Sequence, residues 1–251
     1  MPFSEEINVF ETGIDGFDNL FEQKGIPEGS TVLVAGGPGT GKSIFCRQLC
    51  YNAIKNGKSC MYVSFEEERE RIIESMKHFG WNIDEFVDSG KFIIQKINPL
   101  DILRMKFGSI EGSGSATELS YKIKPLVIPK GFDPDVIAID TLSAVLSASI
   151  TKDKNKRVYL EQFFRFFTDT GATSFLITET ESMPTKYSES GIEDFLADGI
   201  LVFYNIAKED RRENALEVLK MRDCKHEKKI VSIDITDEGI KVFPDKSVSI
   251  T

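Results

Sequence analysis

The chain has 251 residues, 41% hydrophobic and 28% charged, with a formal net charge of −9. Those proportions describe a globular protein that can bury a sizeable core, and no apolar run approaches the length of a membrane span. The acidic balance argues against broad capture of nucleic acid, whose non-specific affinity comes mainly from Lys and Arg neutralising phosphates.

No Pro/Ser-rich linker divides the sequence, so one α/β domain over residues 1–251 is expected. The start, Met1-Pro-Phe-Ser-Glu-Glu6, has neither the basic opening nor the apolar stretch of a secretory signal, which points to the cytoplasm. Cys46, Cys50 and Cys60 fall on apolar faces and read as core thiols. Cys224 and His226 lack the two further ligands of a zinc site, so neither a structural metal nor a disulfide is expected.

In chain order, the apolar run Thr31-Val-Leu-Val-Ala35 predicts a strand, and Gly36-Gly-Pro-Gly-Thr-Gly-Lys-Ser43 follows it directly. This octet matches the phosphate-binding P-loop pattern in full. Gly37, Pro38, Gly39, Thr40 and Gly41 form the turn whose N–H groups face phosphates, Lys42 adds a point charge at the β/γ position, and Ser43 offers a hydroxyl to magnesium. Residues 42–56 carry Phe45, Cys46, Leu49, Cys50 and Ala53 at helical spacing, with Gly57 as the stop. A strand over residues 60–65 and a helix over 66–79, closed by Gly80, come next. A third strand covers residues 92–97, and Gly108-Ser-Ile-Glu-Gly-Ser-Gly-Ser115 predicts a surface loop.

Asp135-Val-Ile-Ala-Ile-Asp140 is a continuous apolar strand ending in an acid, residues 157–170 form a helix with Phe163, Phe164, Phe166 and Phe167, and residues 172–178 form another strand. Strands alternating with helices over the first 180 residues predict a parallel sheet covered on both faces, a three-layer α/β/α architecture. Beyond Gly199 the pattern changes to short runs at residues 200–206, 215–219, 230–235 and 240–243, separated by turn signals at 208–210 and 236–239. These predict antiparallel strands that finish the sheet.

Asp140 suits the acid that holds the magnesium shell, through water. The next residue is Thr141, not the glutamate that many ATPases place there to polarise the attacking water. Glu66 and Glu67, at the carboxyl end of the strand after the P-loop helix, stand where ligands gather in open parallel sheets. The residues alone leave two readings open: acids that reach the γ-phosphate, or an acidic first helical turn with Glu67 and Arg71 as an i,i+4 surface pair.

In its arrangement of motifs the chain resembles the RecA superfamily, and more closely the KaiC-like ATPases, along nearly its whole length. The matching stretches are Thr12-Gly-Ile-Asp-Gly-Phe-Asp18, Gly25-Ile-Pro-Glu-Gly29, the P-loop, Ser64-Phe-Glu-Glu67, Ile139-Asp-Thr-Leu-Ser143, Thr178-Glu179, Lys220-Met-Arg222 with His226, and Ile235-Thr-Asp-Glu-Gly-Ile240. The resemblance implies a RecA-like core that binds ATP and Mg2+, with Glu66 and Glu67 as catalytic acids. It implies that Lys220 and Arg222 enter a neighbouring subunit's site and contact the γ-phosphate there, and that the protein forms a ring, usually hexameric. Without the resemblance, Lys220 and Arg222 read as same-side charges on a solvated strand face. Glu179 corresponds to a sensor at its strand tip, where recombinases tend to carry glutamine; His226 falls where the family often has histidine. The usual glycine after the finger arginine is Asp223 here. No adjacent serine and threonine matches the family's autophosphorylation site, and one such domain is present, so self-kinase and clock roles are not implied.

The function expected is therefore slow Mg-ATP hydrolysis between subunits, driving a conformational switch for a protein partner. A scaffold ordered by ATP without useful turnover is the alternative, and a DNA-dependent recombinase is a weaker one. Against DNA stand the net charge, Glu179, and the segment 182–198, which holds Lys186 against Glu189, Glu193, Asp194 and Asp198. A GTPase is disfavoured because Asn155-Lys-Arg-Val158 lacks the base-reading acid of an Asn-Lys-x-Asp element.

Overall fold

The protein is described by a computed structural model covering residues 8–98, 126–149, 156–181, 184, 186–208 and 211–249. The loop expected at 108–115, residues 182, 183 and 185 of the acidic segment 182–198, and the turn residues 209–210 lie outside the described residues.

Strands β1 (Val9–Phe10) and β2 (Ile26–Pro27) pair as a small antiparallel ribbon. The main sheet has nine strands: β3 (Thr31–Gly36), β4 (Cys60–Ser64), β5 (Phe92–Lys96), β6 (Val136–Asp140), β7 (Thr173–Glu179), β8 (Gly199–Lys208), β9 (Arg211–Met221), β10 (Val231–Thr236) and β11 (Gly239–Ser247). Their spatial order is β11-β10-β9-β8-β3-β7-β6-β4-β5. From β8 to β5 all neighbours run parallel, and β9, β10 and β11 extend the sheet antiparallel. The fold is an α/β, mostly parallel sheet of the RecA-like kind.

Every residue of β3, β4 and β6 is buried. Their continuous apolar runs follow from helices covering both faces, which leaves no solvated side to alternate toward. On one face α1 (Lys42–Lys55), α2 (Arg69–His78) and α3 (Asp84–Asp88) pack through Phe45, Leu49, Ile72 and Met76 onto Val32, Val34 and Phe175. The other face takes α4 (Leu142–Ser149) and α5 (Lys156–Thr170), whose Leu142, Leu160, Phe163 and Phe167 meet Leu33, Met61 and Ile139. Odd and even positions of one strand thus enter different cores, as a side-chain period of two requires. Cys46, Cys50 and Cys60 are fully buried in the first of these cores.

The helix expected over 66–79 begins at Arg69. Ser64 Oγ accepts from the N–H groups of Glu66 (3.2 Å) and Glu67 (2.9 Å), which holds a turn ahead of the helix. Helices α3 and α4 and the short α6 (Glu193–Leu196) were not apparent in the sequence pattern. Among the described residues, no helix is long and apolar enough to cross a membrane.

Candidate functional site

The site forms where β3, β4, β6 and β7 end at their carboxyl edge. The P-loop leaves β3 and enters α1 with Gly39 (φ +72°) and Gly41 (φ +94°) in left-handed backbone conformations that side-chain-bearing residues rarely adopt. A Cβ at Gly36 would lie 2.5 Å from the Phe203 carbonyl, so the base of the loop requires glycine. Residues 39–44 line an open cavity of about 210 Å3. Thr40 Oγ1 donates to the Gly37 carbonyl (2.9 Å), and Lys42 Nζ donates to the carbonyls of Gly36 (2.8 Å) and Gly37 (2.7 Å). Burial pulls the Lys42 ammonium below its usual range, and the charges of Glu179 and Asp140 oppose that shift.

Asp140 closes β6 as a buried acid, and its peptide to Thr141 is cis. Tyr62 Oη donates to Asp140 Oδ2 at 2.6 Å, and Arg47 Nη2 lies 3.8 Å from the same oxygen. Burial, then the Asp140 charge, pushes the Tyr62 phenol well above its ordinary value, so it stays a donor. Glu179 ends β7, paired in register with Gly36, and its N–H donates to Ser143 Oγ (3.0 Å).

Glu66 and Glu67, equivalent in the sequence, occupy different environments. The Glu67 carboxylate pairs with Arg47 Nη2 and lies 3.7 Å from Arg71 Nε. The Glu66 carboxylate has no ion-pair partner among the described residues. Although Glu66 is exposed, partial desolvation raises its pKa, and the charges of Asp140, Glu179 and Glu67 raise it further while Lys96 opposes them. Glu66, Asp140, Glu179 and Lys42 follow or end four neighbouring parallel strands at one edge of the sheet, close enough for their charges to influence one another. Glu67 and Arg71 do form the expected i,i+4 pair, but Glu67 stands before the helix, whose first turn carries Glu70 instead.

Lys220 and Arg222 lie elsewhere. Met221 pairs with Gly199, which pairs with Val32, four residues and roughly 13 Å of strand before Gly36. Both cations therefore sit at the amino edge of the parallel strands, opposite their own P-loop. Lys220 Nζ donates to the carbonyls of Asp194 (3.1 Å) and Ala197 (2.5 Å), and burial followed by repulsion from Arg222 lowers its pKa. Arg222 donates to Asp198 Oδ1 (2.9 Å) and to the Phe195 carbonyl (2.8 Å). Asp223 adopts φ +57°, the left-handed backbone that glycine takes most readily and Asp tolerates. His226 pairs with Phe21 as an isolated antiparallel bridge.

Sequence reasoning overlooked Arg47, Tyr62 and Gln48. Gln48 on α1 clasps the Ile240 backbone, accepting from its N–H (2.6 Å) and donating to its carbonyl (3.2 Å), which docks the β10–β11 hairpin beside the P-loop helix. A charged and an amide residue amid the buried positions of α1 were the available signal.

The KaiC ATPase family model matches residues 10–247. The circadian clock oscillator protein KaiC of Thermostichus vulcanus is 29% identical over 249 residues, covering 99% of this chain and 46% of that protein. The KaiC of Synechococcus elongatus is 29% identical over 248 residues, again covering 46% of its length. The chain thus spans about half the length of these curated relatives. A solved KaiC-like protein from the hyperthermophilic archaeon Pyrococcus horikoshii OT3 superposes with a TM-score of 0.76 at 29% identity, over 95% of this chain and 100% of that one. Since the family match runs from the first strand to the last, the chain belongs to the KaiC ATPase family.

Proposed function

We propose that residues 1–251 form one ATPase domain that binds Mg-ATP at the P-loop and hydrolyses it slowly, with the site shared between subunits of a ring, hexameric as the family resemblance implies. The observation that carries this reading is the convergence of Lys42, Glu66, Asp140 and Glu179 at the carboxyl ends of four neighbouring parallel strands. The donor set fits the ligand: left-handed glycines open the loop to phosphate oxygens, and a Ser43 hydroxyl with the Asp140 carboxylate is hard oxygen chemistry suited to magnesium. When bound, magnesium offsets charge on the phosphate oxygens.

Glu66 is the general base, taking a proton from the water whose oxygen attacks the γ-phosphorus as the bond to the ADP oxygen breaks. Among the described residues its carboxylate has no ion-pair partner, and its raised pKa makes it a better proton acceptor than an ordinary glutamate. Glu67 acts as a partner of Arg47 instead of touching substrate. Glu179 senses the γ-phosphate, and Lys220 and Arg222 serve the next subunit, where they stabilise charge on the transferred phosphoryl group. Their position opposite their own P-loop supports action in trans. The cycle is read as a switch for a protein partner in the cytoplasm.

Phosphate release measured over a range of protein concentrations tests this reading. Specific activity should rise with concentration and vanish in Lys42→Ala and in Arg222→Ala. Mixing those two inactive variants should restore activity to about a quarter of wild type, because random mixing pairs an intact P-loop with an intact finger at one interface in four. If the mixture stays inactive while both variants assemble, the shared site is wrong.

A further inference from the structure

Beneath the P-loop helix, Arg47 and Tyr62 form a polar network that no motif in the sequence assigns. The Arg47 side chain is only 5% exposed. Its Nε donates to Tyr62 Oη (3.2 Å), Nη1 to Ser75 Oγ on α2 (3.0 Å), and Nη2 to Glu67 Oε1. Tyr62, fully buried in the middle of β4, passes the connection on by donating to Asp140 Oδ2 (2.6 Å). A buried guanidinium and phenol are costly unless they find hydrogen-bond partners, and here Glu67, Ser75 and Tyr62 accept from the guanidinium while Asp140 accepts from the phenol. Among the described residues, Tyr62 and Arg47 both approach Asp140 through Oδ2, leaving Oδ1 free of them.

We propose that Arg47 and Tyr62 are positioning residues of the nucleotide site. Tyr62 fixes the Asp140 carboxylate with Oδ1 presented for the metal shell, and Arg47 ties that carboxylate through Glu67 to the turn carrying Glu66. The acid that holds the metal shell and the base that receives the proton are thereby set by one rigid connection spanning β4, β6, α1 and the β4–α2 turn. Planar Arg47 suits this role because its fork addresses several acceptors at once, which a lysine does not. The proposal rests on the Mg-ATPase reading above.

The test is Mg2+ titration of fluorescent ATP-analogue binding, run beside ATPase kinetics and thermal melts on the full chain. Tyr62→Phe keeps the buried ring and removes only the hydroxyl. It should weaken the Mg2+ dependence of nucleotide binding by about 10-fold, the usual scale for losing the support of a metal ligand, while nucleotide affinity in chelator stays at the wild-type value. It should also lower kcat more than it changes KM. Tyr204→Phe is the control, since Tyr204 is another buried tyrosine whose hydroxyl donates to Glu217 (2.7 Å) on the antiparallel strands. That change should lower the melting temperature without moving the Mg2+ midpoint.

Tyr62→Phe and Glu67→Gln should combine to less than the product of their separate effects, because Arg47 is bonded to both side chains and either change loosens the same connection. Arg47→Lys should reproduce the pair, its charge alone failing to rescue. An unchanged Mg2+ midpoint in Tyr62→Phe, or fully multiplicative losses in the double variant, overturns the proposal while leaving wild-type ATPase activity intact. A wild type that binds no Mg-nucleotide overturns the functional reading and this proposal with it.

Discussion

Replacing each glutamate of the Glu66-Glu67 pair by glutamine separates chemistry from architecture. In Glu66→Gln the shape is kept and the carboxylate is lost; if Glu66 is the proposed base, kcat should fall by about 10²- to 10⁴-fold, the usual contribution of a positioned proton acceptor, with KM for ATP little changed. Stability should move the other way. Burial and the charges of Asp140, Glu179 and Glu67 hold the Glu66 carboxyl above its ordinary 4.5. A carboxyl raised in the folded state costs stability as pH climbs from the unfolded value through the folded one, and the cost persists above the folded value. Glu66→Gln removes that cost, so its melting temperature at pH 7 should equal or exceed the wild type's, the advantage fading below pH 4.5. Glu67→Gln should lose stability and lower kcat far less than Glu66→Gln, through Arg47 alone. Arg47 is 5% exposed and Glu67 31%, so the pair is largely shielded; Arg47 keeps Tyr62, Ser75 and the nearby Asp140, which limits the loss to about 1–2 kcal/mol. The assays are single-turnover phosphate release and melts at pH 4 and pH 7. Equal kinetic losses in the two variants, or a destabilised Glu66→Gln at pH 7, would refute the division of roles.

Three further outcomes test other parts of the structure. Gly16 has φ +77°, and a Cβ there would lie 2.1 Å from the Val242 carbonyl, so Gly16→Ala should cost about 3 kcal/mol in urea unfolding; an unchanged midpoint contradicts that close approach. Asp18 accepts from Thr12 N (3.1 Å), Thr12 Oγ1 (2.8 Å) and Gly13 N (2.9 Å), so Asp18→Ala should lose about 1–3 kcal/mol and Asp18→Asn less, readable in the same assay. Chelating divalent cations should reduce phosphate release to background, whereas single-stranded DNA should leave the rate unchanged; stimulation by DNA would revive the recombinase reading.

Much of the fold was legible because its signals are local. The continuous apolar runs of β3, β4 and β6 follow from burial on two faces, and Gly57, Gly80 and Gly171 mark real helix ends with left-handed backbones. The P-loop sits between its strand and helix as its spacing requires, and Asp140 ends its strand. Helix α3 escaped notice because five residues give too short a period to register. The start of α2 moved because the Ser64 hydroxyl captures two backbone N–H groups, a competition invisible to hydrophobic periodicity.

By itself, then, the sequence determined where a phosphate can be held and which strands flank it, since glycine conformations and residue periodicities act over a few positions. Tertiary structure alone decided which of two adjacent glutamates pairs with Arg47, that Lys220 and Arg222 lie across the sheet from their own P-loop, and that Asp140 meets Tyr62 from 78 residues away. These outcomes depend on strand order and on charge pairing among distant residues. Such contacts form only when the sheet has assembled, and no window of sequence contains both partners.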